Sequence, residues 1–599
     1  MRADLRYSPE RWALTWRTAV LCALTGVVFM TYQIPLAAIG CYLIFFILKP
    51  DSVESVVMGI GVIVLVSVAV ALMFVISNLT LESPPLRLAV IVLLSVLFMW
   101  LGVASQVGPA GSILALVFAF LITLFNYVPM GEVLTRGILY AWLMAATPMA
   151  ILVAFIMLVP LNPVRALRER LARRLEVVAT LLEQPGQTEV LQELRELLEE
   201  GNAELDKRVA LLRLVHVCPS DESRYLATAV SATYQAMLAV APALGGDGQG
   251  LAVVPGEDTP EDLRHLADRV RARARELREG WVPPSATATH AAAAGTDSPG
   301  KSAVPSGRRA LLVRSLQRLA GDTSQRPDDA PAKQPFLVPD ALTNPDYIRY
   351  ALKTTLAALI AYLIYTAIDW QDIHTAMITC YVVALGTTAE TVHKLTLRII
   401  GCLIGAALGI FSAHYIIPSM SGVGELGFLL FLGCLLAAWV ASGPERISYA
   451  GVQIALAFLL TVLQGFGPDP QISVAMDRIW GVLLGNVVMF VVFTQIWPAG
   501  VGRVCHRMLR EVTQGVHDFV RIPAEHEIGR TAAAAALYQK IGAIREIAQY
   551  APFEPRSQRP DQVDWRQLHE ALDEAELHIA RISQVPSASS GLPQASLQT

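Results

Sequence analysis

Charged and phenolic side chains set inside long apolar runs carry most of the chemistry this sequence can offer. Arg17 and Lys353 lie near one end of their runs and Arg398 somewhat deeper from that same end, while Arg136 and the Asp477-Arg478 pair lie near the other. An ionisable group in a membrane-spanning helix is costly and usually faces the bundle interior or a water-filled path. Cations at both ends of a path would bind an anion where it enters and where it leaves. The alternative for each is a long side chain that snorkels to the headgroups and does nothing more. Tyr42 and Tyr381 occupy matching places in two short runs and would line the level between. Asp372, His374 and Asp477 are the few groups that could couple proton entry to a conformational change, His374 because an imidazole titrates near neutral pH. A single histidine at a loop edge can equally be structural.

These residues sit in a chain of 599 residues that is 54% hydrophobic and 16% charged, with mean hydropathy +0.48. A soluble domain cannot bury that much apolar surface, so the class is integral membrane protein. The net charge of -4 is nearly balanced and points to no nucleic-acid partner. Apolar runs near 15–34, 35–49, 54–77, 86–105, 110–128 and 133–159 form one set, and runs near 347–368, 372–388, 393–417, 425–441, 447–465 and 473–497 a second. About 20 such residues cross the ~30 Å hydrocarbon layer as a helix. Arg2, Arg6, Arg11 and Arg17 precede or open the first run, Arg165 to Arg174 follow the sixth, Arg503 to Arg510 follow the twelfth, and His393, Lys394 and Arg398 mark a short basic loop. Basic loops stay inside, which places both termini and the central region in the cytoplasm.

The two sets repeat each other. Arg17-Thr18 aligns with Lys353-Thr354, Cys41-Tyr42 with Cys380-Tyr381, and Glu54-Ser55-Val56 with Glu390-Thr391-Val392. The expected fold class is an all-α integral membrane protein of two parallel repeats of six transmembrane helices, with helical cytoplasmic regions after each repeat. An even number of spans per repeat gives an axis along the membrane normal and a translocation path at the interface of the halves. The second run of each set is short and polar, the feature that best marks a transport site, although a tilted or frayed helix would read the same. Gly401, Gly405 and Gly409 share one helix face and invite close packing. Pro148 should kink the sixth helix.

The domain boundaries expected are 1–160 and 341–498 for the membrane repeats, 161–280 and 499–583 for cytoplasmic helices, and 281–340 and 584–599 for a linker and tail poor in large apolar residues. Gly295 to Ser302 fits the spacing of a phosphate-binding loop, but it lies in that linker with no strand before it, so it is a chance match. The seven cysteines form no disulfide framework and no zinc spacing. No cofactor, metal or enzyme motif emerges.

Six spans, a helical region, six more spans and a helical tail resemble the FUSC family of fusaric acid resistance and aromatic carboxylic acid exporters. The run Glu390-Thr-Val-His-Lys-Leu-Thr-Leu-Arg398-Ile-Ile-Gly401-Cys-Leu-Ile-Gly405 is similar to that family's R-x-x-G-x-x-x-G pattern, and Tyr32-Gln33-Ile34-Pro35 through Leu86-Arg87 resembles its multidrug-resistance branch. Met58 stands where a matching arginine would be expected in the first half, so Arg398 alone is carried over. The resemblance implies an inner-membrane efflux component for small aromatic organic anions, driven by the proton gradient and working with a periplasmic membrane-fusion adaptor and an outer-membrane channel. Membrane lipids are its other partners, and a homo-oligomer is left open. The rival readings are a passive anion channel and a membrane scaffold that transports nothing.

Overall fold

A computed structural model describes residues 7–80, 83–108, 110–124, 131–159, 162–245, 260–281, 307–321, 335–370, 373–463, 472–523, 526–555 and 564–584. In chain order, the first apolar block gives α1 (Pro9–Thr31), α2 (Ala37–Ile47), α3 (Ser52–Thr80), α4 (Pro84–Ala104), α5 (Ala110–Leu124) and α6 (Gly131–Leu158). A polar stretch then gives α7 (Pro163–Glu183), α8 (Thr188–Glu200), α9 (Ala203–Leu214), α10 (Ser220–Val240), α11 (Pro260–Glu279) and α12 (Arg308–Leu319). The second apolar block gives α13 (Pro345–Ala367), α14 (Thr375–Val383), α15 (Thr388–Phe411), α16 (Val423–Ala441), α17 (Glu445–Val462) and α18 (Ile472–Gln495), and the chain ends in α19 (Val501–Arg521), α20 (Glu527–Ala548) and α21 (Trp565–Gln584). Among the described residues the only β pairing is an isolated bridge between Ser105 and Leu337. The chain divides into two units. One comprises residues 1–161, 334–501 and 552–559, the other residues 162–333, 502–551 and 560–599.

The first helices of the two apolar blocks start and stop alike, for the same local reasons. Ser8 caps α1 by accepting from the Arg11 amide at 3.2 Å, and Asn344 caps α13 by accepting from the Asp346 amide at 3.0 Å. Pro9 and Pro345 follow at the first helical position, where a missing amide hydrogen costs nothing. Both helices run 23 residues. Both then end on a left-handed residue, Gln33 (φ 53) and Asp369 (φ 50). That turn lets the Ile34 amide reach the Phe29 carbonyl at 2.9 Å and the Trp370 amide the Tyr365 carbonyl at 3.0 Å, closing the helix ends. Further on, Ser55 Oγ accepts from the Lys49 amide (2.9 Å) as Thr391 Oγ1 does from Leu385 (3.3 Å).

The second element of each block corrects the sequence reading. The runs at 35–49 and 372–388 fold as helices of only 11 and 9 residues, Ala37–Ile47 and Thr375–Val383. At 1.5 Å per residue these extend about 16 and about 14 Å, half of the hydrocarbon layer. They are half-helices, neither tilted nor frayed spans. Ten described helices are long and apolar enough to cross a membrane, yet Ser220–Gly245 is one of them and lies in the other unit with 78% of its most apolar window buried. α10 is buried against the other helices of its own unit, most completely from Ala229 to Val240.

Within the membrane unit, α1 packs on α16 and α13 on α4, while α2 packs on α17 and α14 on α5. Two apolar clusters result. One joins α4, α5, α13, α14 and α18 around Met377, Tyr381 and Met489; the other joins α1, α2, α6, α16 and α17 around Phe29, Met149 and Phe458. α15 packs closely on α17 along the glycine face. A Cβ at Gly401 would stand 2.6 Å from the Ala450 carbonyl oxygen, and one at Gly405 2.8 Å from Ala457 Cβ. Any larger residue there forces the two helices apart. α6 continues through Pro148 without interruption.

In the other unit, the arginines after the sixth run hold helices against one another. Arg168 pairs with Glu222 at 2.5 Å, Arg170 with Glu200 at 2.9 Å and Arg173 with Glu193 at 2.6 Å. Arg174, 1% exposed, donates to Asn202 Oδ1 at 2.8 Å and to the Gly201 carbonyl. α8 packs on α20, and α10 on both α20 and α21, so helices after each apolar block share one core. Two boundaries differ from the sequence reading. The stretch 281–340 contains a helix, α12, packed on α10, and near its end the Gln106 amide donates to Phe336 at 3.0 Å and the Val338 amide to Ala104 at 3.0 Å. Residues 552–559 belong with the membrane unit, where the buried Glu554 carboxylate accepts from the Val501 amide at 3.1 Å. The chance phosphate-loop match at Gly295 to Ser302 and the tail at 585–599 lie outside the described residues.

Candidate anion site

The first turn of α15 sets the orientation of the polar groups along that helix. Thr387 and Glu390 form a capping box: Thr387 Oγ1 accepts from the Glu390 amide at 3.2 Å, and the Thr387 amide donates to Glu390 Oε2 at 2.9 Å. Glu390 is thereby committed to the helix end, although Lys394 lies one turn on, where such a pair often forms. The Lys394 ammonium instead donates to the Val382 carbonyl at the end of α14 (2.8 Å) and sits 4.9 Å from the Tyr449 ring centre. A further turn along, Arg398 is 1% exposed and donates through one terminal nitrogen to Tyr449 Oη and to Gln453 Oε1, each at 3.0 Å. Gln453 in turn donates to Tyr42 Oη at 3.3 Å. The Arg398 Nε has no hydrogen-bond partner among the described residues.

Four helices thus converge. α15 supplies Lys394 and Arg398, α17 supplies Tyr449 and Gln453, α2 supplies Tyr42, and α14 supplies a carbonyl. The glycine seam makes this reachable, because Gln453 Cβ would lie only 2.7 Å from a Cβ at Gly401. Neither cation forms an ion pair among the described residues. A charge in mid-membrane costs about 2.5–3.5 kcal/mol even by insertion measurements, and two of them a turn apart repel. A buried arginine and a half-buried lysine, ringed by two phenols and an amide and with no ion pair among the described residues, are complementary to an anion with an aromatic body.

The other residues singled out from sequence fall in three groups. Arg17 and Lys353 are buried, at equivalent places on α1 and α13, and lack acidic partners among the described residues: Arg17 lies 5.0 Å from the Trp16 ring with Nε unpartnered, and Lys353 lies 4.1 Å from the Phe493 ring and 3.5 Å from the Trp497 carbonyl. Tyr381 is buried but bonded to Ser95 at 2.7 Å, apart from the Arg398 cluster. Arg136 has a side chain 69% exposed and pairs with Glu132 at 2.6 Å, apart from the Arg398 cluster. Arg478 has an unpartnered Nε, Asp477 accepts from the Trp370 indole at 3.2 Å, and the His374 ring lies 5.3 Å from Phe120. Asp372 lies outside the described residues.

Sequence reasoning missed Lys394 as a site residue, placing it in a basic loop, and missed Tyr449 and Gln453 altogether. Each pair has i,i+4 spacing, which is a visible signal, but only the contact of α15 with α17 makes the two pairs one site. The shared caps also refine the alignment of halves: with Ser55 opposite Thr391, Met58 falls opposite Lys394 and Val62 opposite Arg398. Both of those positions are apolar.

The family model for the fusaric acid resistance protein family matches residues 347–598. Multidrug resistance protein MdtO of Escherichia coli O6:H1 (strain CFT073) is 26% identical over 551 residues, 89% of this chain and 76% of that protein. MdtO of Shigella flexneri is 37% identical over 232 residues, 39% of this chain and 34% of the relative. Inner membrane protein YccS of Escherichia coli K12 is 28% identical over 169 residues, 28% of this chain and 22% of the relative. No solved structure matches. The matched segment contains α15 and α17 with all four of their site residues, so this membrane protein is similar, over residues 347–598, to the fusaric acid resistance protein family.

Proposed function

We propose that this chain is an inner-membrane efflux transporter for organic anions, aromatic carboxylates above all, and that its cargo binds between α15 and α17. The observation that carries the reading is the buried Arg398 with the half-buried Lys394 a turn away, neither in an ion pair among the described residues and both beside Tyr449, with Gln453 and Tyr42 next to Arg398. A carboxylate would satisfy both cations, and its ring would lie against the phenols. Arg17 and Lys353 serve as entry cations and Arg478 as an exit cation. The relatives named for multidrug resistance support export as the direction.

In this reading the halves are parallel repeats. The equal caps of α1 and α13, the left-handed Gln33 and Asp369, the two half-helices and the exchanged packing of α1 on α16 and α13 on α4 support it. Both termini lie in the cytoplasm, the proton gradient supplies the energy through His374 and Asp477, and a periplasmic adaptor and outer-membrane channel carry the cargo onward.

Inverted membrane vesicles containing the chain, energised so that their interior is acid, should concentrate a fluorescent aromatic carboxylate severalfold above the outside level. An uncoupler should abolish that excess. Uptake that only ever equalises the two sides would instead indicate a passive channel, and no uptake at all a scaffold.

A further inference from the structure

We infer that the non-membrane unit carries a lipid-contacting rim, formed by the α9–α10 turn and Trp281, that dips into the leaflet through which α6 leaves the membrane. Chain connectivity places the start of this unit. α6 ends at Leu158 and α7 begins at Pro163, capped by Asn162, whose side chain accepts from the Arg165 amide at 3.1 Å. The five Cα steps from Leu158 to Pro163 span at most about 18 Å, so the start of α7 lies within that reach of the end of α6. Arg168 lies only six residues, about 9 Å of helix, beyond Asn162.

Arg168 gathers two other helix ends to that place. It pairs with Glu222 in the first turn of α10 at 2.5 Å, and it donates to the Leu277 carbonyl in the last turn of α11 at 3.4 Å. Next to these ends lie large apolar side chains that none of the described residues covers. The turn before α10 exposes Leu214 (69%), Val215 (44%) and Val217 (43%), and the residue pair after α11 exposes Trp281 (37%). The turn is well defined: His216 adopts φ 55 and the Val217 amide donates to the Leu212 carbonyl at 3.2 Å. A defined turn that holds three aliphatic side chains out in water has an occupant to meet.

Its surroundings fit a phospholipid surface. Arg165 and Arg213 are exposed and form no ion pair among the described residues, leaving two cations for phosphates, and tryptophan is the side chain most at home in the headgroup layer. The rim would fix the unit against the bilayer near the chain's own exit from it.

Cys218 offers a direct test, since it sits in this turn and is the one cysteine of the seven that is not buried. The full chain, labelled there with an environment-sensitive fluorophore and reconstituted into liposomes of phosphatidylethanolamine and phosphatidylglycerol, should be quenched by nitroxide-bearing lipids and shielded from aqueous iodide. In the labelled double variant Leu214→Ser, Val217→Ser the iodide quenching should rise at least twofold. Iodide quenching of the unmodified turn in bilayers would overturn the inference. So would protection from both quenchers, which would mean that protein, such as a second copy of the chain, covers the turn.

Discussion

Arg398→Gln is expected to abolish export of aromatic carboxylates while leaving the protein as stable as before or more so. The glutamine amide keeps two N–H donors, one for Tyr449 Oη and one for Gln453 Oε1, so the polar ring stays largely satisfied. What disappears is a charge that has no acid to pair with and carries a membrane desolvation cost. A buried ion pair broken on one side destabilises, but removal of an unpaired buried charge relieves a penalty. The two possible roles of Arg398 therefore separate by sign. A merely structural arginine predicts loss of folded protein, whereas a cargo-binding one predicts normal membrane levels, an unchanged or raised melting temperature and no resistance. At about 4 Å and an effective dielectric near 20, one charge on another is worth roughly 2–4 kcal/mol, or about 30- to 1000-fold in cargo affinity. Resistance assays and thermal melts on the same preparations read both quantities.

Arg545→Met should be the most damaging single change outside the membrane. Arg545 on α20 pairs with Glu199 on α8 and, at 2.5 and 2.6 Å, with Glu576 and Asp573 on α21. Glu576 is 1% exposed. Removing the cation strands two shielded carboxylates, at a cost of roughly 3–5 kcal/mol, toward the lower end because Arg195 still lies 3.3 Å from Glu576. The helices it joins follow different apolar blocks, so the loss loosens the one core that links them. The pH dependence has a definite sign. Burial already lifts the Glu199 carboxyl above the ordinary range, with Arg545 pulling it back, and the variant loses that pull. An acid whose folded pKa exceeds its unfolded one binds more protons when folded, so stability rises as pH falls through that window. The melting-temperature gap between wild type and variant should thus be widest near about pH 8 and narrow toward about pH 5. A gap that widens on acidification would show that the carboxylates are not stranded.

Hydropathy alone located all twelve helices of the membrane unit, because each apolar run is bounded by a cap, a proline or a charged turn. It misleads where length and burial diverge. By composition α10 qualifies as a span, since a core helix surrounded by other helices is as apolar as one surrounded by lipid, and α2 and α14 read as spans because their apolar runs continue past the last helical residue, to Leu48 and to Ala384-Leu385. The site itself was half legible. Arg398 and Tyr42 stand out as polar groups in apolar runs, but their junction through Gln453 depends on a contact between residues 411 positions apart in the chain. No periodicity within either helix encodes that meeting, although the glycines that permit it are visible at every fourth place. The basic run after α6 was legible as charge and illegible as structure: Arg168, Arg170, Arg173 and Arg174 hold helices together, and Arg165 is left to face phosphate.

Equilibrium binding of a radiolabelled aromatic carboxylate to the purified chain in lipid nanodiscs tests the anion site most directly. With one Lys394–Arg398 cluster among the described residues, saturation should occur at one ligand per chain, and Arg398→Gln should reduce affinity by at least about 30-fold. Undiminished binding by the variant would contradict the account.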